Sequence, residues 1–507
     1  MLIPALAVAV VTAAIPGHFD QPQDGFANPW TTLRQSNPYW ANLDPEPINT
    51  ALRQVRGFTR PQANGKPLFA GAVTMYVHDG KIVTHDRTGY AVLYQDQQTQ
   101  LPEEDRVPMQ KDTIFDLASI SKLFTSIAVI QQAEQGRVDI DEKVAHYLPE
   151  FGVNGKEDIT VKQLLTHTSG LEPFIALWKL YPDVPSRIKA VMDVKPKSTP
   201  GTTYVYSDLN LITLGELVHK VSGKKLDQAV RDGITRPLGM KDTGYNPKAR
   251  NRTAATEFQS APPRGMVRGE VHDENAWSLG GVAGHAGVFG TARDLAVLGQ
   301  TILNGGTYQG RRILTEHSLE LMLTNFNQQF PDNAHGLGFE LNQRWYMGAL
   351  SGPGTAGHTG YTGTSFVIDK ASRSIAILLS NRVHPSRDWG SVNPARRVVA
   401  DGLANALAVK SHGKQWRATT SGGTLTAERP VEVFVDVDKG DKLTIQHWDG
   451  TQWQDVRTIT TTERRWVATE QKKSRFVYTK AGQYNGRGVY VHARGDVTAD
   501  GWSLARR

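Results

Sequence analysis

The sequence predicts a mixed α/β (α+β) domain followed by a small all-β module. Three patterns point there. Strand-like segments near residues 71–84 and 363–381 enclose a long region of helical periodicity at about 119–304. A run of short alternating strands with turn signals between them then fills most of residues 431–492. Strand pairs at both ends of a helical middle are consistent with an antiparallel sheet that carries helices and a helical insertion.

The elements follow in chain order. Met1–Ala14 is apolar and ends in small residues, like a signal-peptide core with its cleavage site, although the first basic side chain is Arg34. The alternative is an N-terminal strand or helix lying on the domain. The segment is too short to cross a membrane, and no other candidate span occurs. Secretion or association with a cell wall is the expectation. Residues 15–66 form an N-terminal extension with one helix near Pro47–Val55. Gly71–Thr84 alternates and turns at Asp79-Gly80, a hairpin signal. From Ser119 to Glu134, Ile120, Leu123, Phe124, Ile127, Ala128 and Ile130 recur at helical spacing and predict a buried helix. Gly363–Asp369 and Ser374–Asn381 read as adjacent strands joined by a turn at Lys370–Arg373, with His358 on or just before the first.

The main domain is expected to span 67–405, with a linker at 406–430 because residues 411–430 are rich in Gly, Ser and Thr and end at Pro430. Residues 431–507 then read as a small β-sandwich. From Ser411 onward Lys and Arg number 16 against 11 Asp and Glu, so this part holds +5 of the formal +7. It also holds Trp416, Trp448, Trp453, Trp466 and Trp502. Core packing is the commoner use of such tryptophans; contact with a cell-wall polymer is the functional alternative.

Composition narrows the chemistry. The 507 residues include no cysteine, which excludes disulfides, a thiolate nucleophile and cysteine-bound zinc. A charge of +7 on this length does not imply nucleic acid. There is no G-x-S-x-G elbow, Walker A or dinucleotide fingerprint, so no cofactor is expected. His272-Asp-Glu274 is adjacent rather than helically spaced, which favours loop hydrogen bonds over a metal; no metal is expected.

Three motifs carry the chemistry: Ser119-Ile-Ser-Lys122, Tyr206-Ser-Asp208 and His358-Thr-Gly360. A chain this long is expected to hold about two S-x-x-K tetrads by chance, and Ser222-Gly-Lys-Lys225 and Ser411-His-Gly-Lys414 also fit. Only Ser119 opens a long apolar helix. At that end, unpaired N–H groups and a positive dipole favour an anion forming on an attacked carbonyl. Lys122, three residues on, shares a face with the Ser119 hydroxyl and, once desolvated, can act as its base.

With these motifs in this order, the chain resembles the serine β-lactamase and penicillin-binding-protein superfamily, in its class C β-lactamase, DD-peptidase and esterase branch. Phe115–Lys122, Ile159–Gly170, Pro200–Asn210, Pro237–Met240, Gly284–Phe289 and Gly357–Gly363 carry the resemblance over most of residues 67–405. It implies an antiparallel sheet flanked by helices, with an all-helical subdomain carrying Tyr206. It also implies Ser119 as nucleophile, Lys122 as base and Tyr206 as proton relay. The N–H groups of Ser119 and Tyr361 would form the oxyanion hole, with His358, Thr359 and Gly360 docking the substrate. Two positions depart from the β-lactamase pattern: His358 replaces the usual lysine, and Asp208 the usual asparagine. An ionised Asp only accepts hydrogen bonds, and beside Lys122 it would raise the lysine pKa. Both changes weigh against efficient β-lactamase activity. A DD-carboxypeptidase-like hydrolase of small or peptidoglycan-derived peptides is expected, with an esterase or weak β-lactamase as the alternative. A non-catalytic or slowly turning over binder of cell-wall fragments is the rival from another class.

Overall fold

The computed structural model describes residues 25–407, apart from 331, 332 and 353, and beyond residue 415 the strand backbones together with Thr451–Gln452. The apolar stretch Met1–Ala14 and Ser411 lie outside the described residues.

The centre is an eight-stranded sheet built from both ends of the main domain. Its order runs Arg34–Gln35, Lys81–Val92, Gly71–His78, Ser374–Ser380, Thr364–Asp369, Thr355–Gly360 and Glu340–Leu341, with Val107–Pro108 pairing off Lys81–Val92. All pairs are antiparallel except that of the short Arg34–Gln35 strand, which runs parallel to Lys81–Val92 and makes the sheet mixed. The hairpin turns where expected: Asp79 (φ 48) and Gly80 (φ 73) both occupy the left-handed region that a tight two-residue turn between twisted strands requires.

Both faces of the sheet are buried, and alternation sorts the side chains between two cores. Val73, Met75 and Val77, with Ile375, Ile377 and Leu379, face the larger core, where the Ala292–Leu303 helix and the helical region pack. Ala72 and Tyr76, with Ala376 and Leu378, face the other way, onto the Pro45–Gly57 and Asn393–Leu407 helices. The Pro45–Gly57 helix starts at Asp44, whose carboxylate accepts from the Glu46 N–H at 3.1 Å, and has proline in its first turn. Ile48, Ala51, Leu52 and Val55 form its buried stripe. From residue 25 on, the described part of the N-terminal extension thus includes a helix that packs on the sheet.

The region 119–304 is less purely helical than its periodicity suggests. Helices at Ser121–Glu134, Val184–Asp193, Asp208–Ser222 and Ala292–Leu303 dominate, but short strands occur at Gly244–Tyr245, Ala255–Gln259, Gly265–Arg268 and Val288–Gly290. Two to five residues are too few to show a period.

In the C-terminal part the stretch expected to be linker holds two strands, Trp416–Thr420 and Gly423–Ala427, paired antiparallel with Thr420 opposite Gly423. Threonines suit strands, so a Thr-rich composition fits paired strands as well as a linker. Nine strands in all form one five-stranded and one four-stranded sheet among the described residues.

Candidate active site

Ser119 lies just before the long helix, not in its first α-turn. Ala118–Ile120 is a 3-10 turn that leads into Ser121–Glu134, and Ala118 holds φ 47. That is a strained conformation for a residue with a Cβ, and neighbouring groups hold it in place. Buried Asp116 accepts from the Ala118 N–H at 2.8 Å and from the His272 N–H at 2.6 Å.

Lys122 is 1% exposed, and its ammonium has three acceptors. These are Ser119 Oγ at 3.0 Å, the His285 carbonyl at 3.0 Å and Asp208 Oδ1 at 2.8 Å. Burial alone would push the ammonium pKa down, but the Asp208 carboxylate and Tyr206 more than offset this and hold it above the ordinary lysine value. The resting lysine is therefore protonated. The Tyr206 ring lies 4.9 Å from Lys122 Nζ, and its phenol is pushed up to about 12, chiefly by burial.

The second motif precedes the Asp208–Ser222 helix and is held from behind. His167 Nδ1 accepts from the Ser207 N–H at 3.1 Å and faces the Asn210 amide at 3.2 Å. Ser207 Oγ donates to the Glu172 carbonyl at 2.6 Å. The third motif ends the Thr355–Gly360 strand, just before the predicted pair of strands. Glycine is required at 360, since a Cβ there would stand 2.4 Å from the Leu117 carbonyl oxygen. This close approach sets the strand end against the Ser119 turn. Thr362 and Thr364 donate to the Asp116 and Leu117 carbonyls at 2.7 and 3.2 Å, and buried Arg396 donates to the Gly360 carbonyl at 2.6 Å.

The structure thus brings together Ser119, Lys122, Tyr206, Asp208 and the Gly360–Tyr361 strand end. His358 is placed differently from an open substrate ligand. It is 1% exposed, its Nδ1 pairs with the Thr359 carbonyl at 2.8 Å, and its ring lies 6.1 Å from that of Tyr206. Tyr361 is 52% exposed, stacked on His272 and flanked by Arg382 and Arg387. Ser222 ends its helix and donates to the Val218 carbonyl. Sequence reasoning missed Asp116, Arg396 and the His285 carbonyl as an acceptor for the lysine, and it gave Asp273 loop hydrogen bonds without its His285 partner. The phrases Val271–Trp277 and Gly284–Phe289 were the available signal. Among the described residues, Asp208, Asp273 and His285 are the one group close enough to suggest a cation, and Lys122 already supplies positive charge to Asp208.

Burial also favours the neutral form of four imidazoles. It holds His358 near 3, His335 and His384 near 4, and His167 well below 6.5. The same effect raises Glu340 to about 7 and Asp294 to about 6. The sign for the histidines is that their contribution is intact above 6.5 and is lost as the pH falls below it; the two carboxyls act oppositely. With these four histidines outnumbering these two carboxyls, unfolding in mild acid should take up protons on balance, and stability should fall by about 1.4 kcal/mol per pH unit for each net proton taken up. Denaturant titrations from pH 7 to 4.5 measure this slope, and a flat profile would contradict it.

Residues 62–401 match the family described as Beta-lactamase. A curated relative from Salmonella schwarzengrund, named "Putative D-alanyl-D-alanine carboxypeptidase", is 32% identical over 366 residues, covering 66% of this chain and 83% of the relative. Among solved structures, "EstCE1, a hydrolase with promiscuous acyltransferase activity" superposes with a TM-score of 0.55 at 20% identity, covering 70% of this chain and 99% of that one. A penicillin-binding protein homologue from Caulobacter crescentus gives a TM-score of 0.54 at 23% identity, covering 71% and 97%. These two likenesses show the fold. With the family match spanning most of the main domain, the chain belongs to the Beta-lactamase family and is a serine hydrolase of the β-lactamase/DD-peptidase type.

Proposed function

We propose that this serine hydrolase is DD-carboxypeptidase-like and acts through an acyl-enzyme on peptidoglycan-derived D-amino-acid peptides. The observation that carries the reading is the 3.0 Å contact between Ser119 Oγ and Lys122 Nζ, with Tyr206 and the end of the His-Thr-Gly strand beside it. Ser119 attacks the carbonyl carbon once Lys122 has lost its proton, and the hydroxyl proton passes to the lysine. The Ser119 and Tyr361 N–H groups receive the oxyanion. As the C–N bond breaks, Tyr206 gives its proton to the leaving amine and takes one from Lys122; water then attacks the ester on Ser119, its proton passes through Tyr206 to Lys122, and Lys122 returns a proton to Ser119 as the acid leaves. Asp208 holds the lysine charged between turnovers. The carboxypeptidase name of the relatives supports the peptide substrate. A cell-envelope location, with polymer contact through residues 431–507, belongs to the same proposal.

One observation favours a second reading, an esterase. Neutral, buried His358 offers no positive charge to a substrate's terminal carboxylate. Purified full-length protein, given a D-Ala–D-Ala-terminated peptide, p-nitrophenyl esters and nitrocefin, separates the two. Release of D-alanine, with poor nitrocefin turnover, is the expected result. Ester turnover without D-alanine release would transfer the function to the esterase reading, and stable acylation without turnover would make the protein a binder.

A further inference from the structure

The segment His272-Asp273-Glu274 divides its side chains: His272 and Glu274 join one cluster, in which Arg387 pairs with both Glu257 and Glu274, while Asp273 turns to His285. His272 meets Glu257 at 2.9 Å, Asp273 Oδ1 meets His285 Nε2 at 2.8 Å, and Glu274 pairs with Arg387. The middle contact matters for the base. The backbone carbonyl of His285, the residue whose ring Asp273 holds, is one of the three acceptors of Lys122. Of those acceptors, Ser119 Oγ is consumed when it is acylated, and Asp208 sits on a partly exposed side chain. The carbonyl alone is a fixed backbone atom that keeps its role throughout turnover.

That carbonyl belongs to a stretch with glycine at 280, 281, 284 and 287, three of them at positive φ. Such a chain loses much conformational freedom on ordering, so its placement depends on pins. Gly284 fits against the Leu211 carbonyl, where a Cβ would stand 1.8 Å away. Thr125 Oγ1 donates to the Gly284 carbonyl at 2.7 Å, and the Val288 N–H donates to Ser121 Oγ at 2.9 Å. Besides Lys122 on its carbonyl, residue 285 has one side-chain hydrogen bond among the described residues, that of its ring with Asp273. Asp273 is in turn fixed as the cap of the Glu274–Ser278 helix, accepting from the Ala276 N–H at 2.8 Å.

We infer that Asp273 and His285 form a positioning pair for Lys122: the carboxylate fixes the imidazole, and with it the peptide carbonyl that aims the lysine amine at Ser119. The inference rests on the assignment of Ser119 and Lys122 proposed above. The pair touches neither substrate nor reacting atoms, so its effect should appear in kcat rather than KM.

The test uses the full-length chain, a fluorophosphonate probe and a p-nitrophenyl ester. Labelling of wild-type Ser119 comes first; its absence would overturn the functional reading, and this inference with it. Given labelling, Asp273→Ala and His285→Phe should each lower the labelling rate and kcat by roughly 100-fold, the order of cost for misplacing a catalytic group by an ångström, with KM little changed. Asp273→Asn keeps an oxygen for both the imidazole and the Ala276 N–H, and should recover most of that loss. Circular dichroism and thermal melts establish that the variants are folded; if Asp273→Ala does not fold, His285→Phe carries the comparison with Asp273→Asn. Wild-type kcat in folded Asp273→Ala or His285→Phe would overturn the inference. So would an Asp273→Asn enzyme as slow as the truncations, or a loss confined to KM.

Discussion

Ser119→Ala is expected to lower hydrolysis of any accepted ester or amide by roughly 10⁴-fold or more, the scale seen when a covalent nucleophile is removed. The variant should fold normally, because Lys122 keeps Asp208 and the His285 carbonyl as partners and no buried charge is stranded. Ser222→Ala is the internal control. Its hydroxyl closes a helix end by bonding to Val218, and its loss should leave kcat and KM unchanged. Steady-state kinetics on both variants check the assignment, and an active Ser119→Ala enzyme would remove it.

The second large effect concerns Asp208. With the lysine held protonated by this carboxylate, the reactive neutral form is scarce near neutral pH. Wild-type kcat/KM should therefore climb about tenfold per pH unit through the neutral range, as for a base titrating well above it. Asp208→Asn removes the facing charge while leaving Lys122 buried, so desolvation then dominates and lowers the lysine pKa. The acid limb should move to lower pH by roughly one to three units, the range for loss of an opposite charge at contact distance. The new amide can also donate to a substrate carbonyl, so nitrocefin turnover should rise. An unshifted profile with unchanged substrate preference would exclude a role for Asp208 in tuning the base.

Much of this site was legible because its parts announce themselves locally. Ser119 and Lys122 are three residues apart, the apolar helix follows at once, and the ion pair between Lys122 and Asp208 follows from putting an acid where the family pattern has an amide. The Asp79-Gly80 hairpin was legible for the same reason, since a turn dipeptide acts within its own segment, and the helix expected near Pro47–Val55 spans Pro45–Gly57 behind an Asp44 cap that was not read from the sequence. What escaped acts across long separations through the backbone. The His285 carbonyl is 163 residues from Lys122, and Asp116 holds a backbone N–H at His272 that is 156 residues away. A carbonyl has no residue signature, so only the folded chain reveals it. Arg396 likewise works on the Gly360 carbonyl from a helix whose sequence reads as packing. The 3-10 turn at Ser119 is set by Asp116 and by the threonines after Gly360, none of which helical periodicity can register.

Trapping the acyl-enzyme tests the central claim most directly. Full-length protein is mixed with a D-Ala–D-Ala-terminated peptide or a slowly released β-lactam, quenched in acid, and its intact mass measured before proteolytic mapping. The expected result is a single adduct with the mass of the acyl portion, on the peptide that contains Ser119, and its disappearance in Ser119→Ala. An adduct on another residue, or D-alanine release by Ser119→Ala at the wild-type rate, would contradict covalent catalysis at this serine.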